Sequence, residues 1–249
     1  MVSLSFQIAK RYYKASYQNR YIRFINRASS VGISLGVLAL IVGLSVMNGF
    51  EKELKSSLLA VLPDIEFEAV QGRLENWKKP HQTLSAQPQV LAAAPYIKTN
   101  AMVQKQEQLE AVLVHGVDSH LEQAVNATSN FMIEGAWFPE AKGAVVGSGL
   151  ADKLSLTVGS KLELLLPKVL PSGKLGSPTY LTQQVVGIYK IGGQMDHGQV
   201  YLPLSVIQQA WNWSEQHAEG IKIALQEPFK ARQIAVQLGQ TIDDYVYIL

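Results

Sequence analysis

The residues of this chain whose types could do chemistry are five histidines, a serine set between glycines, and an adjacent Asp–His pair. Asp196 and His197 stand in the run GGQMDHG, from Gly192 to Gly198. A carboxylate and an imidazole are two members of a hydrolytic triad, but only when one orients the other. Neighbours on an extended chain point to opposite faces, so an adjacent pair seldom does so; a turn or strand-edge role is expected here. Gly147-Ser148-Gly149 begins like a phosphate loop, yet neither a Walker lysine nor the third dinucleotide glycine follows. The stretch GISLG, Gly32 to Gly36, has the form G-x-S-x-G. A nucleophile elbow needs a strand–turn–helix around it, and this one lies inside an uncharged apolar run. His81, His115, His120, His197 and His217 show no metal-ligand spacing, and Asp118 is the one acidic residue between the two that are five apart. The chain has no cysteine, which removes disulfides, thiolate metal sites and cysteine nucleophiles. The sequence therefore gives no support for a catalytic residue, a metal site, or a cofactor held by this chain.

What must be positioned instead is an apolar span. Ser30 to Phe50 reads SVGISLGVLALIVGLSVMNGF, without a charged residue and with Asn48 as its one strongly polar side chain. About 20 apolar residues at 1.5 Å rise cross a hydrocarbon core of about 30 Å. The 249-residue chain carries a formal net charge of only +2, which argues against nucleic acid as a partner. That average hides an asymmetry: Lys10, Arg11, Lys14, Arg20, Arg23 and Arg27 precede the span with no acidic residue among them. Cations of this kind stay on the cytoplasmic side. The expected organisation is a basic cytoplasmic or interfacial segment at 1–29, a transmembrane helix at 30–50 with its N-terminus inside, and an extracytoplasmic domain at 51–249. A 29-residue basic leader and the absence of a small-x-small cleavage site argue against a removable signal peptide. Within residues 5–25, Phe6, Ala9, Tyr13, Tyr17, Tyr21 and Phe24 recur at three- or four-residue spacing between the cations, the pattern of a helix lying in the headgroup zone. Gly32 and Gly36 form a small-xxx-small pair, with Gly43 further along, and such glycines allow close helix packing.

Beyond the span, Glu51 to Leu62 continues in helical character until Pro63-Asp64 stops it. Alternation predicts strands at 65–70, 110–117, 161–166, 181–189 and 245–249, and helices at 82–93, 149–156, 204–213 and 228–238. Val169 to Thr182, rich in Pro, Gly and Ser between two strands, reads as a long hairpin loop. A mixed α+β class follows.

The run FINRASSVGISLGVLALIVGLSVMNGFEKELKSSLLAVLPDIEFEA resembles the first membrane span of the lipoprotein-releasing ABC permeases of Gram-negative bacteria. The shared positions include Ser30, Gly32, Ile33, Leu35, Gly36, Val37, Ser45, Met47, Asn48, Gly49, Phe50, Glu51, Glu53 and Leu54. The resemblance continues through AAAPYI, VHGVD, VVGSGLADKLSLTVGSKLELLLP, GGQMDH and DYVYI, and is closer to the family's E-type subunit than to its C-type subunit. It implies an α+β periplasmic domain of the MacB-like type in the bacterial inner membrane. It also implies a non-catalytic permease subunit that works with a C-type permease subunit and an ATPase dimer, which would hold ATP and magnesium. The complex would extract a lipoprotein substrate and pass it to a periplasmic carrier. Family members carry three further spans after this domain; the sequence given ends at Leu249 before any such span, so the resemblance implies the N-terminal part of such a subunit. The alternatives are a related mechanotransmitting permease serving efflux or a cell-wall hydrolase, and an anchored domain that only binds another protein.

For lipid handling, the residues expected at the outer end of the span are Val46, Met47, Phe50 and Leu54. They recur at helical spacing, and a flexible, polarisable methionine suits variable acyl chains. The bland reading of the same face is packing against lipid or a neighbouring helix.

Overall fold

The computed structural model describes residues 4–16, 20–53, 61–105, 108–167, 176–242 and 246–248. They fall into two units, Met1–Lys55 and Ser56–Leu249.

The first unit is helical. Helix α1 is Leu4–Ser16 and α2 is Arg20–Glu53. Residues 17–19, Tyr17 among them, lie outside the described residues; of the other residues expected on one face over 5–25, Phe6, Ala9 and Tyr13 lie on α1 and Tyr21 and Phe24 on α2. Helix α2 begins ten residues before the apolar run and takes in Arg20, Arg23 and Arg27. Nothing in that basic stretch breaks a helix, since it holds neither Pro nor Gly before Gly32. The stretch from Arg20 to Phe50 is long and apolar enough to cross a membrane, with mean hydropathy 2.3 in its most apolar window. Of the helix expected over 51–62, only Glu51 to Glu53 are described as helical; residues 54–60, Leu54 among them, lie outside the described residues.

The second unit is built on ten strands among the described residues. Strand β1 is Ile65–Ala69, α3 is Lys78–Ser85, and β2 is a 16-residue strand, Val90–Lys105. There follow β3 (Gln108–Val117), α4 (Glu122–Val125), β4 (Met132–Gly135), β5 (Ala144–Gly147), α5 (Ser148–Lys153), β6 (Lys161–Leu166) and β7 (Thr179–Tyr189). The unit closes with α6 (Met195–Gly198), β8 (Gln199–Pro203), α7 (Leu204–Trp211), β9 (Gly220–Leu225), α8 (Ala231–Gly239) and β10 (Val246–Ile248).

Their pairing resolves two sub-folds. One sheet runs β10-β1-β9-β2, antiparallel throughout, with α3 leading from β1 to β2 and α8 from β9 to β10. This is a split β-α-β repeated twice, the ferredoxin-like arrangement. Alternate residues Ile65, Phe67, Ile221 and Ile223 face the helices and bury Leu84, Trp77, Ile234 and Leu238 with them. Everything from β3 to α7 is inserted between the second and third strands of that motif. The insert closes on itself: β2 pairs β3, β3 pairs β8, β8 pairs β5, β5 pairs β7, β7 pairs β6, and β6 returns to β2. A barrel of six strands results, filled by inward residues such as Val103, Val114, Val146, Leu162, Leu164, Val185 and Leu202. Leu154 of the turn after α5 and Ile207 of α7 pack into the same core. Closure leaves these strands few open edges.

Strand β2 corrects the sequence reading. A helix was expected over 82–93, because Leu91-Ala92-Ala93-Ala94 favours one; instead α3 lies earlier and Val90 begins a strand. Pairing decides it. Val90 to Tyr96 lie along β9, and Tyr96 to Lys105 along β3. Pro95 is tolerated because the β3 partner starts only at Tyr96. The expected loop 169–182 is shorter at its far end, since Thr179 to Thr182 already pair with Glu163 to Leu166; residues 168–175 lie outside the described residues.

The two sub-folds are also joined by charge. Lys222 on β9 donates to Glu122 on α4 at 2.6 Å, and both side chains are almost wholly buried. Removing one partner of a buried pair strands the other charge, so Lys222→Met is expected to destabilise the protein by about 3–5 kcal/mol. The double variant Lys222→Met/Glu122→Gln is expected to recover most of that loss, as measured by denaturant unfolding of the full chain in detergent.

Candidate functional site

Two stretches that look unrelated in the sequence meet in the folded domain. The turn from β5 into α5 carries Gly147-Ser148-Gly149, and the loop from β7 into α6 carries Gly192 to His197. They line one open cleft of about 500 Å³ with Asp152 and Lys190. Asp196 organises it. Its carboxylate accepts the Ile191 N–H at 2.9 Å and the Gly192 N–H at 3.0 Å, and the Ser148 hydroxyl donates to it at 3.4 Å. Gly192 and Gly193 take positive φ, which the tight turn requires. A Cβ on Gly147 would come within 2.3 Å of the Asp196 backbone oxygen, and one on Gly149 within 2.3 Å of the His197 ring.

Ser148, Asp196 and His197 are thus neighbours, but their geometry is not that of a hydrolytic triad. The serine points to the carboxylate, the carboxylate is taken up by backbone N–H groups, and no hydrogen bond joins the His197 ring to either among the described residues. A triad requires the imidazole between the other two. Asp196 instead caps a turn, the role its sequence setting suggested.

A second polar cluster went unnoticed in the sequence. Beneath Val61, Leu62 and Pro63, a cavity of about 50 Å³ is lined by Glu66, Lys98, His115, Asn126, Tyr201 and Lys222. By volume it has room for a few waters. Lys98 is held by both carboxylate oxygens of Glu66, and its backbone N–H donates to Glu219. Asn126 Nδ2 donates to Glu122 at 2.6 Å beside Lys222. His115 stacks on Tyr201, with centroids 4.9 Å apart. Burial raises the Glu122 carboxyl, opposed by the Lys222 ammonium, and raises Glu219 to about 7. Burial lowers His115 well below its ordinary range, and Lys222 and Lys98 lower it further, so the ring is neutral at physiological pH. The sequence did contain a signal for this cluster: Lys222 interrupts the otherwise apolar strand GIKIAL, and a lysine there must find an anion.

The residues expected to handle lipid lie on α2, within the first unit. Val46, Met47 and Phe50 are exposed, whereas Leu54 lies outside the described residues. At about 100° per residue, Gly32, Gly36 and Gly43 fall within an arc of about 40°, and Val46, Met47 and Phe50 within an overlapping arc of about 100°. The glycine stripe and the apolar patch therefore share one face. Among the described residues, and apart from the helix's own neighbouring backbone, nothing lies within 4 Å of a Cβ built on any of the three glycines.

Comparison with known proteins covers both units. The MacB-like periplasmic core domain family matches residues 28–243. The lipoprotein-releasing system transmembrane protein LolE of Haemophilus influenzae is 33% identical over 250 residues, spanning 98% of this chain and 59% of that protein. The transmembrane protein LolC of the corresponding system in Neisseria meningitidis is 31% identical over 246 residues, spanning 96% of this chain and 58% of that protein. The chain thus spans about three fifths of the length of these curated relatives. Among solved structures, the extracellular domain of the noncanonic ABC-type transporter YknZ from Gram-positive bacteria superposes with a TM-score of 0.50 at 10% identity, over 74% of this chain and 98% of that one, a likeness of fold.

The two glycines flanking Ser148 separate positioning from space. Gly147→Ala meets rigid backbone at Asp196, so it is expected to cost more than 2 kcal/mol and to loosen the 191–197 turn. Gly149→Ala meets the end of an exposed histidine that can swing away, so its cost is expected to stay near 1 kcal/mol or below. Thermal unfolding of the two variants, with hydrogen exchange at Gly192, checks the order.

Proposed function

This chain belongs to the MacB-like periplasmic core domain family and is of the LolC/LolE kind, and we propose from that premise that it serves in a membrane permease subunit that extracts lipoproteins from the inner membrane. What carries this reading is that the relatedness runs through both units, the apolar span as well as the folded domain. In this reading the N-terminus is cytoplasmic, as the six cations before the span favour, and the domain from Ser56 onward is periplasmic. A C-type permease subunit stands beside it, ATP hydrolysis belongs to a separate ATPase dimer, and a periplasmic carrier takes the cargo.

The lipid-handling surface we assign is the α2 face bearing Val46, Met47 and Phe50, with Leu54, which lies outside the described residues, as the fourth residue of the expected set. Acyl chains need an apolar wall at the depth where they lie, and a methionine–phenylalanine wall adapts to chains of differing length. The glycines on the same face of α2, closer to mid-membrane, permit a partner helix to approach. One face then does two things at two depths: it packs a neighbouring helix near Gly36 and opens towards cargo near Phe50.

The two positions are about 40° apart around the helix and about 21 Å apart along it, so comparing them tests depth with little change of face. A photo-crosslinking residue at Phe50, in the full-length gene product expressed with its partner subunits, is expected to trap lipoprotein several-fold more than one at Gly36. Equal trapping at both positions, or trapping at neither, removes the assignment. Charge at Met47 or Phe50 is expected to block capture while leaving assembly intact, because an ion facing acyl chains costs a few kcal/mol.

A further inference from the structure

Along one of its two edges, strand β2 changes partner part-way. Val90 to Tyr96 pair with β9 and Met102 to Gln104 with β6, while β3 runs along the other edge. From Ile97 to Ala101 the first edge has no strand against it among the described residues. That gap lies where the ferredoxin-like sheet ends and the barrel begins, and Glu219 reaches into it. Glu219 stands one residue before β9 and is fixed by its backbone. Its N–H donates to the Tyr96 carbonyl at 3.0 Å, and its own carbonyl accepts the Ala69 N–H at 3.0 Å. Its carboxyl then accepts the Lys98 N–H, a group that a longer β9 would have met.

The surroundings of that carboxyl are charged. Register sets Glu66 beside Lys222 and Glu68 beside Gly220, with Ala94 and Tyr96 of β2 opposite the same two β9 residues. These positions, and Lys98 further along β2, share the sheet face turned away from α3 and α8. Helix α4 adds Glu122 on that face. The Lys98 ammonium is taken by Glu66 and the Lys222 ammonium by Glu122, so neither is left for Glu219 or Glu68. The remaining titratable neighbours supply no positive charge. His115 is kept neutral by burial and by the two lysines, and burial keeps Tyr96 and Tyr201 in their neutral forms. His217 turns to Glu75 at 3.0 Å, and Asp64, just before β1, accepts the Leu225 N–H at 2.7 Å.

We infer that Glu219 is a proton-operated latch at the branch of β2: protonated, it holds the barrel on the sheet, and ionised, it loosens that hold. A neutral carboxyl still accepts the Lys98 N–H through its carbonyl oxygen, and it no longer repels Glu66 and Glu68. An ionised one is relieved by leaving the gap for water. Burial raises Glu219 to about 7 in the closed arrangement, with Glu68 and Glu66 adding to the rise and the Lys98 N–H opposing it. Once the gap opens, the carboxyl returns towards its ordinary, lower range. The closed state thus binds the proton more tightly. Closure is favoured at low pH, and the advantage is lost as pH rises through about 7. The proton controls how freely the barrel moves on the sheet that carries it.

Hydrogen exchange of the full chain in detergent tests the latch, read at the Lys98 amide and corrected for the intrinsic effect of pH on exchange. Protection is expected to fall about tenfold between about pH 5.5 and 8.5, with little change at Leu164 in the barrel core. Glu219→Gln keeps an acceptor for Lys98 but cannot titrate, so it is expected to hold the low-pH protection throughout. Glu68→Gln removes a repelling charge and is expected to move the midpoint of the fall to lower pH. Protection at Lys98 that does not change with pH in the unaltered chain overturns the inference. So does a fall that persists in Glu219→Gln, a midpoint that Glu68→Gln leaves in place, or an equal fall at Leu164, which makes the change global.

Discussion

Strand β2 is asked to be two strands. Its first half must hydrogen-bond β9 to complete the ferredoxin-like sheet, and its second half must bond β3 and β6 to close the barrel. A continuous pleated backbone transmits twist and position along its length, so the two sub-folds share one rigid axis. The charged groups at that crossing pair with one another, while His115 Nε2 and one Glu122 carboxylate oxygen are buried without a partner among the described residues, beside the small polar cavity. Lys222 reaches Glu122, Asn126 supports the same carboxylate, and Lys98 is clamped by Glu66. Apolar packing would fill the crossing equally well, but it has no directional preference. Hydrogen-bonded ions accept one arrangement, and they fix how the insert sits on the sheet that carries it.

The same principle explains why residues of catalytic type perform no catalytic geometry here. Asp196 is buried and its two oxygens accept two backbone N–H groups, which turns a potential base into the keystone of the 191–197 turn. Ser148 is drawn to that carboxylate, and His197 is set against Gly149. The glycines on either side of Ser148 are there so that two loops can touch.

The proposed function rests on one helix face. Along α2, glycines and large apolar side chains share that face but differ in position along the axis, so in the proposed reading helix packing and lipid contact are separated along the bilayer normal.

The sequence alone showed an uncharged run long and apolar enough to cross a membrane, and the structure places that run in one long helix. It also determined the strands whose alternation is strict, such as Ile65 to Ala69, and helices ended by clear punctuation. The family could be read from the dense run around Met47-Asn48-Gly49-Phe50. Only the tertiary structure decided the rest. Val90 to Ala93, expected within a helix over 82–93, becomes a strand because β9 offers it hydrogen bonds. The insertion of a barrel inside a split β-α-β repeat lies in pairings more than a hundred residues apart, such as Tyr96 with Gly220. Lys222 announced in the sequence that it needed an anion, but Glu122 is 100 positions away, and no local pattern says which carboxylate a chain will fold back to find.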